Sequence, residues 1–114
     1  MNSLDFKVGE KTYELKLTTR GVVKLEKAIK KNPVSMFING EEARVPNIEE
    51  GIITLYFALQ PNHAAEVKNI DAVYDIYDEY VENGGTFIDL MAIIVDLFRE
   101  CGIMPKEEEQ IEKN

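Results

Sequence analysis

Residues 87–98 read Phe-Ile-Asp-Leu-Met-Ala-Ile-Ile-Val-Asp-Leu-Phe, and ten of these twelve are apolar. The only charges, Asp89 and Asp96, lie seven residues apart, which on a helix places them close to one line. At about 100° per residue, Glu100 joins them on the same narrow strip. A surface helix usually buries an apolar stripe about 100° wide; this one is apolar around most of its circumference. Such a helix is either the central member of a small bundle or keeps an edge for another protein. Which of the two it is depends on how much the rest of the chain can cover.

Thr86 with Asp89 gives a capping box in front of this helix, and Gly102 and Pro105 close it. Upstream, Asn69 caps a segment in which Ile70, Val73, Tyr74, Tyr77, Tyr80 and Val81 recur at helical spacing. Gly84-Gly85 stops it. Asn47 with Glu50 resembles a second capping box, ahead of Ile48, Ile52, Leu55, Tyr56 and Leu59 on one face of a helix that halts before Pro61. Thr18 or Thr19 caps a further helix carrying Val22, Leu25, Ala28 and Ile29, ended by Asn32-Pro33. Pro33 opens a short turn with Val34, Met36 and Phe37. Asn39-Gly40 reads as a turn and residues 41–46 as a polar loop.

The N-terminus alternates differently. Leu4, Phe6 and Val8, then Tyr13, Leu15 and Leu17, take every second position. That period of two, broken at Gly9-Glu10-Lys11, predicts a hairpin with one apolar and one charged face. The predicted fold is α+β and mostly helical. A hairpin over 4–17 precedes helices over about 19–31, 47–60, 69–83 and 86–101, in one domain spanning 1–105 with a charged tail over 106–114. The hairpin and three amphipathic helices suffice to cover most of the apolar helix. It is therefore expected to be the central packing element, with one edge, or its end near Phe98 and Cys101, left open.

The chain has 114 residues and a formal charge of −8. That acidity argues against nucleic acid, which needs clustered Lys and Arg. The charge is uneven: residues 1–31 hold eight basic and four acidic side chains, residues 32–114 five and 17. A two-signed molecule of this kind is suited to stack head to tail or to meet a basic partner. No apolar run is long enough to span a bilayer, and no signal peptide is visible. Cys101 is the single cysteine, which fits a reducing compartment.

Enzyme signals are weak. His63, the single histidine, reads as structural rather than catalytic. Cys101 has no CxxC partner and reads as an inert thiol. Asp71, Asp75, Asp78 and Glu79 lack the alternating ligands and glycine of a calcium loop. No glycine-rich phosphate loop occurs. Neither catalytic residues nor a cofactor nor a metal is expected. Tyr74, Tyr77 and Tyr80 sit among carboxylates, the wrong sign for stacking nucleic-acid bases, and suit protein contact instead.

The order of local signatures points to a family. These are Lys11-Thr12-Tyr13-Glu14-Leu15-Lys16-Leu17 in the hairpin with Thr18-Thr19 after it, Leu25-Glu26-Lys27, Asn32-Pro33 with Met36-Phe37, Val45-Pro46-Asn47, Phe57-Ala58-Leu59-Gln60, His63, and Gly84-Gly85 before the last helix. In this order they resemble the small tail assembly chaperones encoded by long-tailed phages and prophages of Gram-positive bacteria. The acidic, Tyr-rich third helix and the Cys101-Gly102-Ile103-Met104 ending depart from that pattern. The resemblance implies a non-enzymatic protein of the bacterial cytoplasm, absent from the mature virion. It would hold the long tape-measure protein in solution during tail assembly, alongside a longer frameshifted form of itself in many phages. Self-association is expected, and neither nucleic acid nor membrane is expected as a partner. The residues expected to contact client or copy are Phe87, Leu90, Met91, Ile94, Leu97 and Phe98, with Tyr74, Tyr77 and Tyr80 second. The competing reading is an acidic regulatory adaptor or inhibitor that masks a basic protein through Asp71, Asp75, Asp78 and Glu79.

Overall fold

The structure is a computed structural model and describes residues 3–106. The fold is α+β and mostly helical: an N-terminal antiparallel hairpin followed by four helices. Strands β1 (Leu4–Val8) and β2 (Lys11–Leu15) pair in the register Leu4↔Leu15, Phe6↔Tyr13 and Val8↔Lys11. Gly9 opens the two-residue turn at φ +63°, the conformation a tight hairpin asks of its first central residue. Phe6, Val8, Tyr13 and Leu15 point into the core. Lys16 N–H, just past β2, donates to the Ala58 carbonyl at 2.9 Å and ties the hairpin to a helix.

Helix α1 (Thr19–Ile29) starts at Thr18, whose hydroxyl accepts the Gly21 N–H. It buries Leu25 fully and Val22 and Ile29 in part, and Ala28 faces solvent rather than the core. The helix ends on Lys30 in the left-handed region, φ 62°, with its N–H on the Glu26 carbonyl. A 3-10 turn (Pro33–Met36) follows, capped by Asn32. β3 (Ile38–Asn39) and β4 (Glu42–Ala43) form a minimal second hairpin that turns at Gly40, so the expected Asn39-Gly40 turn is shifted by one residue and the expected polar loop over 41–46 begins with a short strand.

Helix α2 (Ile48–His63) carries the capping box of Asn47 and Glu50 with both bonds made. It runs three residues past its expected end, through Pro61. Proline inside a helix removes its own donor and crowds the carbonyl four residues back, and tertiary bonds hold the extra turn against that cost. Glu14 N–H donates to His63 Nε2 at 2.9 Å, and Asn62 Nδ2 reaches the Glu14 carbonyl at 3.4 Å.

Helix α3 (Ile70–Glu82) buries Val73, Ile76 and Tyr80. Its inward face is rotated from the expected one, because Ile76 is inside while Tyr74 and Val81 are exposed. At its end Gly85 N–H bonds the Tyr80 carbonyl and Gly84 N–H the Val81 carbonyl, with Gly84 at φ +97°, a Schellman stop. Helix α4 (Phe87–Glu100) begins with the Thr86–Asp89 capping box. The Cys101-Gly102-Ile103 ending is a second Schellman stop: Ile103 N–H bonds the Phe98 carbonyl, Gly102 N–H bonds Arg99, and Gly102 sits at φ +88°.

The four helices and the main hairpin enclose one core, with α2 touching α1, β2, α3 and α4. The bulk of the expected tail, residues 107–114, lies outside the described residues.

Candidate functional site

The nine residues expected at an interface do not form one surface. Leu90, Ile94, Leu97 and Phe98 are at most 1% exposed, and Met91 is buried beside them. Phe98 packs edge-on against Phe37 at 5.9 Å. The end of α4 near Phe98 is therefore closed, and Cys101 is half-buried. Tyr80 is buried against Phe6, ring centres 4.8 Å apart. Phe87 and Tyr77 are half-buried and meet edge to face at 6.3 Å. Tyr74, at 39% exposure, is the one of the nine on the outside. Seen on a wheel, α4 is apolar nearly all round, so the sequence could not single out the side that three neighbours would cover.

The open side of α4 is its Ile88–Ala92–Val95 edge, at i, i+4, i+7 spacing. Ile88 is 62% exposed, the highest of any large apolar side chain among the described residues. Facing it is the segment Arg44-Val45-Pro46, with Val45 also exposed. Between them runs a groove of about 290 Å³, walled by Phe37, Val45, Pro46, Ile88, Ala92 and Val95, with Met91 and Arg44 completing it. Asp89 and Asp96 stand about 100° further round the same helix, outside this edge. The groove is apolar, shallow and open, a shape suited to a ridge of side chains from another chain rather than to a small molecule.

A charged clamp fixes the wall opposite α4. Glu50 is buried, yet its carboxylate meets the Lys31 ammonium, Arg44 Nη2 at 3.1 Å and the Asn47 N–H at 2.9 Å. Burial alone would push the carboxyl up. Lys31, Asn47 and Arg44 together outweigh that and hold it below the usual carboxylate range. Arg44 Nη1 also reaches the Ser35 carbonyl at 3.5 Å. The end of α1, the 3-10 turn, β4 and the start of α2 thus converge on one side chain. Its capping role was legible from Asn47-x-x-Glu50; its two cations, Lys31 from the end of α1 and Arg44 from the segment after β4, were not.

The candidates for chemistry are occupied by structure. His63 Nε2 accepts the Glu14 N–H, so Nδ1 carries the proton and donates to Glu66 Oε1 at 2.6 Å. The ring stands edge-on to Tyr13 at 5.2 Å. Lys11 closes the cluster by pairing with Glu66, and that pairing, followed by the His63 bond, lowers the Glu66 carboxyl. Burial pushes the Cys101 thiol up, away from the thiolate a nucleophile needs. Among the described residues no group of three His, Cys, Asp or Glu is placed to hold a metal ion. No described helix is long and apolar enough to cross a membrane.

The model of a family described as one of unknown function, DUF6096, matches residues 3–114. No curated protein and no solved structure matches the chain.

Proposed function

The chain belongs to the DUF6096 family, and we propose that it is a phage or prophage tail assembly chaperone: a non-enzymatic protein that binds the tape-measure protein and keeps it in solution. The observation that carries the reading is the apolar groove along Ile88, Ala92 and Val95, walled by Val45 and Pro46. A tape-measure chain is long, helical and apolar along one side, and aggregates if that side stays uncovered. A groove that admits one helical ridge would cover it a stretch at a time, and weak sites repeated over many copies would hold by avidity. Shallow contacts also suit a helper that tube subunits must displace. The order of local signatures from Phe6 to Gly85 supports the same reading.

Co-expression with the tape-measure protein of the same genome tests it. The expected result is a soluble client carrying several copies of the chain. Ile88→Asp with Ala92→Glu should abolish that gain while the chain itself stays folded, since both positions face solvent. No co-purification and no solubility gain with the unaltered chain would sink the proposal.

A further inference from the structure

A second groove, of about 360 Å³, lies between α1 and α2 and shares no lining residue with the one along α4. Its floor is Tyr56, Phe57 and Pro61, the two rings meeting edge to face at 5.2 Å. Both rings are half-buried, so their outer faces stay open to the groove. Arg20 and Lys24 of α1 form one rim and are exposed. They stand one turn apart, about 6 Å along the helix axis.

The monomer does not account for this rim. Arg20 lies in the first turn of α1, at the positive end of the helix dipole, and that turn holds no acidic residue. No Asp or Glu stands three or four positions from Arg20 or from Lys24. Neither has an ion pair among the described residues, and at i, i+4 the two repel each other. Gly21 lies on the same wall. Glycine inside a helix is less stable than alanine, and no left-handed dihedral requires it there. A Cβ would meet the Thr18 hydroxyl at 3.3 Å and Leu17 at 3.9 Å, both local, and no atom of α2 within 4 Å. Gly21 therefore leaves bare α1 backbone facing the groove, where another chain can come close over the aromatic floor.

We infer that the α1–α2 groove receives an acidic amphipathic helix of a different protein. The apolar stripe of that helix lies on Tyr56 and Phe57, its backbone passes over Gly21, and carboxylates one turn apart meet Arg20 and Lys24. Charge selects the site. Residues 32–114 hold 17 acidic against five basic side chains, so an acidic helix is repelled over most of the chain and directed to this rim. The contact does not involve the α4 groove and stands independently of the client proposed for it.

Fluorescence anisotropy with a labelled helical peptide tests this. The probe has about 16 residues, long enough to hold a helix, and a leucine stripe edged by Glu at i, i+4 and i+7. The full chain should bind it saturably at about 50 mM salt and at least about tenfold more weakly at about 500 mM. Arg20→Glu with Lys24→Glu should also weaken binding at least about tenfold. Gly21→Leu should weaken it as much while the melting temperature holds or rises, because leucine fills the groove and favours the helix. Circular dichroism checks that both variants fold, and the charge reversal carries the test alone if Gly21→Leu does not. The same peptide with Lys in place of Glu should not bind. No saturable binding by the wild-type chain overturns the inference, as does binding that survives the variants or equal binding of the Lys peptide. Self-association that the charge reversal abolishes would put a second copy in the groove, and overturns it too.

Discussion

Gly84 and Gly85 stand side by side and are glycine for different reasons. Gly84 holds φ +97°, a conformation L side chains rarely adopt, and has open space where a Cβ would go. Gly85 has no such dihedral, but a Cβ there would lie 2.4 Å from Cζ of Tyr80, whose ring folds over the end of its own helix. That ring also packs against Phe6, ring centres 4.8 Å apart, which limits how far it can move. Gly85→Ala should cost about 1–3 kcal/mol, the usual range for overpacking. The loss should shrink when Tyr80→Leu is already present, a coupling that a double-mutant cycle on chemical denaturation reads directly. Lys30 is the opposite case, a side chain at a left-handed helix stop with φ 62°. Lys30→Gly should stabilise by roughly 1 kcal/mol and raise the melting temperature by a few degrees. A lower melting temperature would refute that account of the α1 terminus.

The elements divide by how local their causes are. Every helix start was legible, because Thr18, Asn47, Asn69 and Thr86 each accept an N–H three residues on, a bond the sequence spells out. The stops at Gly84 and Gly102 are local in the same way. What was not legible depends on distant partners. The last turn of α2 survives Pro61 because the hairpin holds His63 and Asn62. The inward face of α3 turns on Ile76, which the core buries while Tyr74 and Val81 of the expected stripe stay outside; that choice is made by the packing of neighbouring elements, not by spacing. The candidate groove was hidden for the same reason, since it is simply the side of α4 that no neighbour covers. The element most exposed to a single change is the segment 44–47, which hangs on Glu50. Glu50→Gln keeps the cap acceptor but strips the charge that Lys31 and Arg44 face, and should cost about 1–3 kcal/mol. Asn47→Ala, which removes only the cap, should cost about 1 kcal/mol. Thermal unfolding of the two variants separates them, and an equal loss would mean the cations contribute nothing.

At the scale of the whole molecule, acid should act through lowered carboxylates. A carboxyl whose folded pKa lies below its unfolded value gives stability that is present above the ordinary value of 4.5 and is lost as pH falls through the folded one. Glu50 and Glu66 are both of this kind. The melting temperature should therefore hold steady near neutrality and fall progressively below about pH 4.5. In Glu50→Gln the acid limb should be shallower, and an unchanged limb would remove Glu50 from that role. On the alkaline side, Lys11 is raised by its bond to Glu66, so its contribution persists to high pH and fades only above the ordinary value of 10.5.

The bond between Lys16 and Ala58, and the ring of Tyr80 over Phe6, also set a timetable. The hairpin leaves the ribosome ahead of the helices that cover it: its apolar side is closed by residues that follow about 40 and about 70 positions later. At roughly 5–20 residues per second, Phe6 waits on the order of 4–15 s for Tyr80 to be made. During that interval the nascent chain presents a small uncovered sheet. A ribosome stalled just after Asn69 should hold it in that condition, open to trigger-type chaperones and to proteases, and release of α3 should end the exposure in a single step.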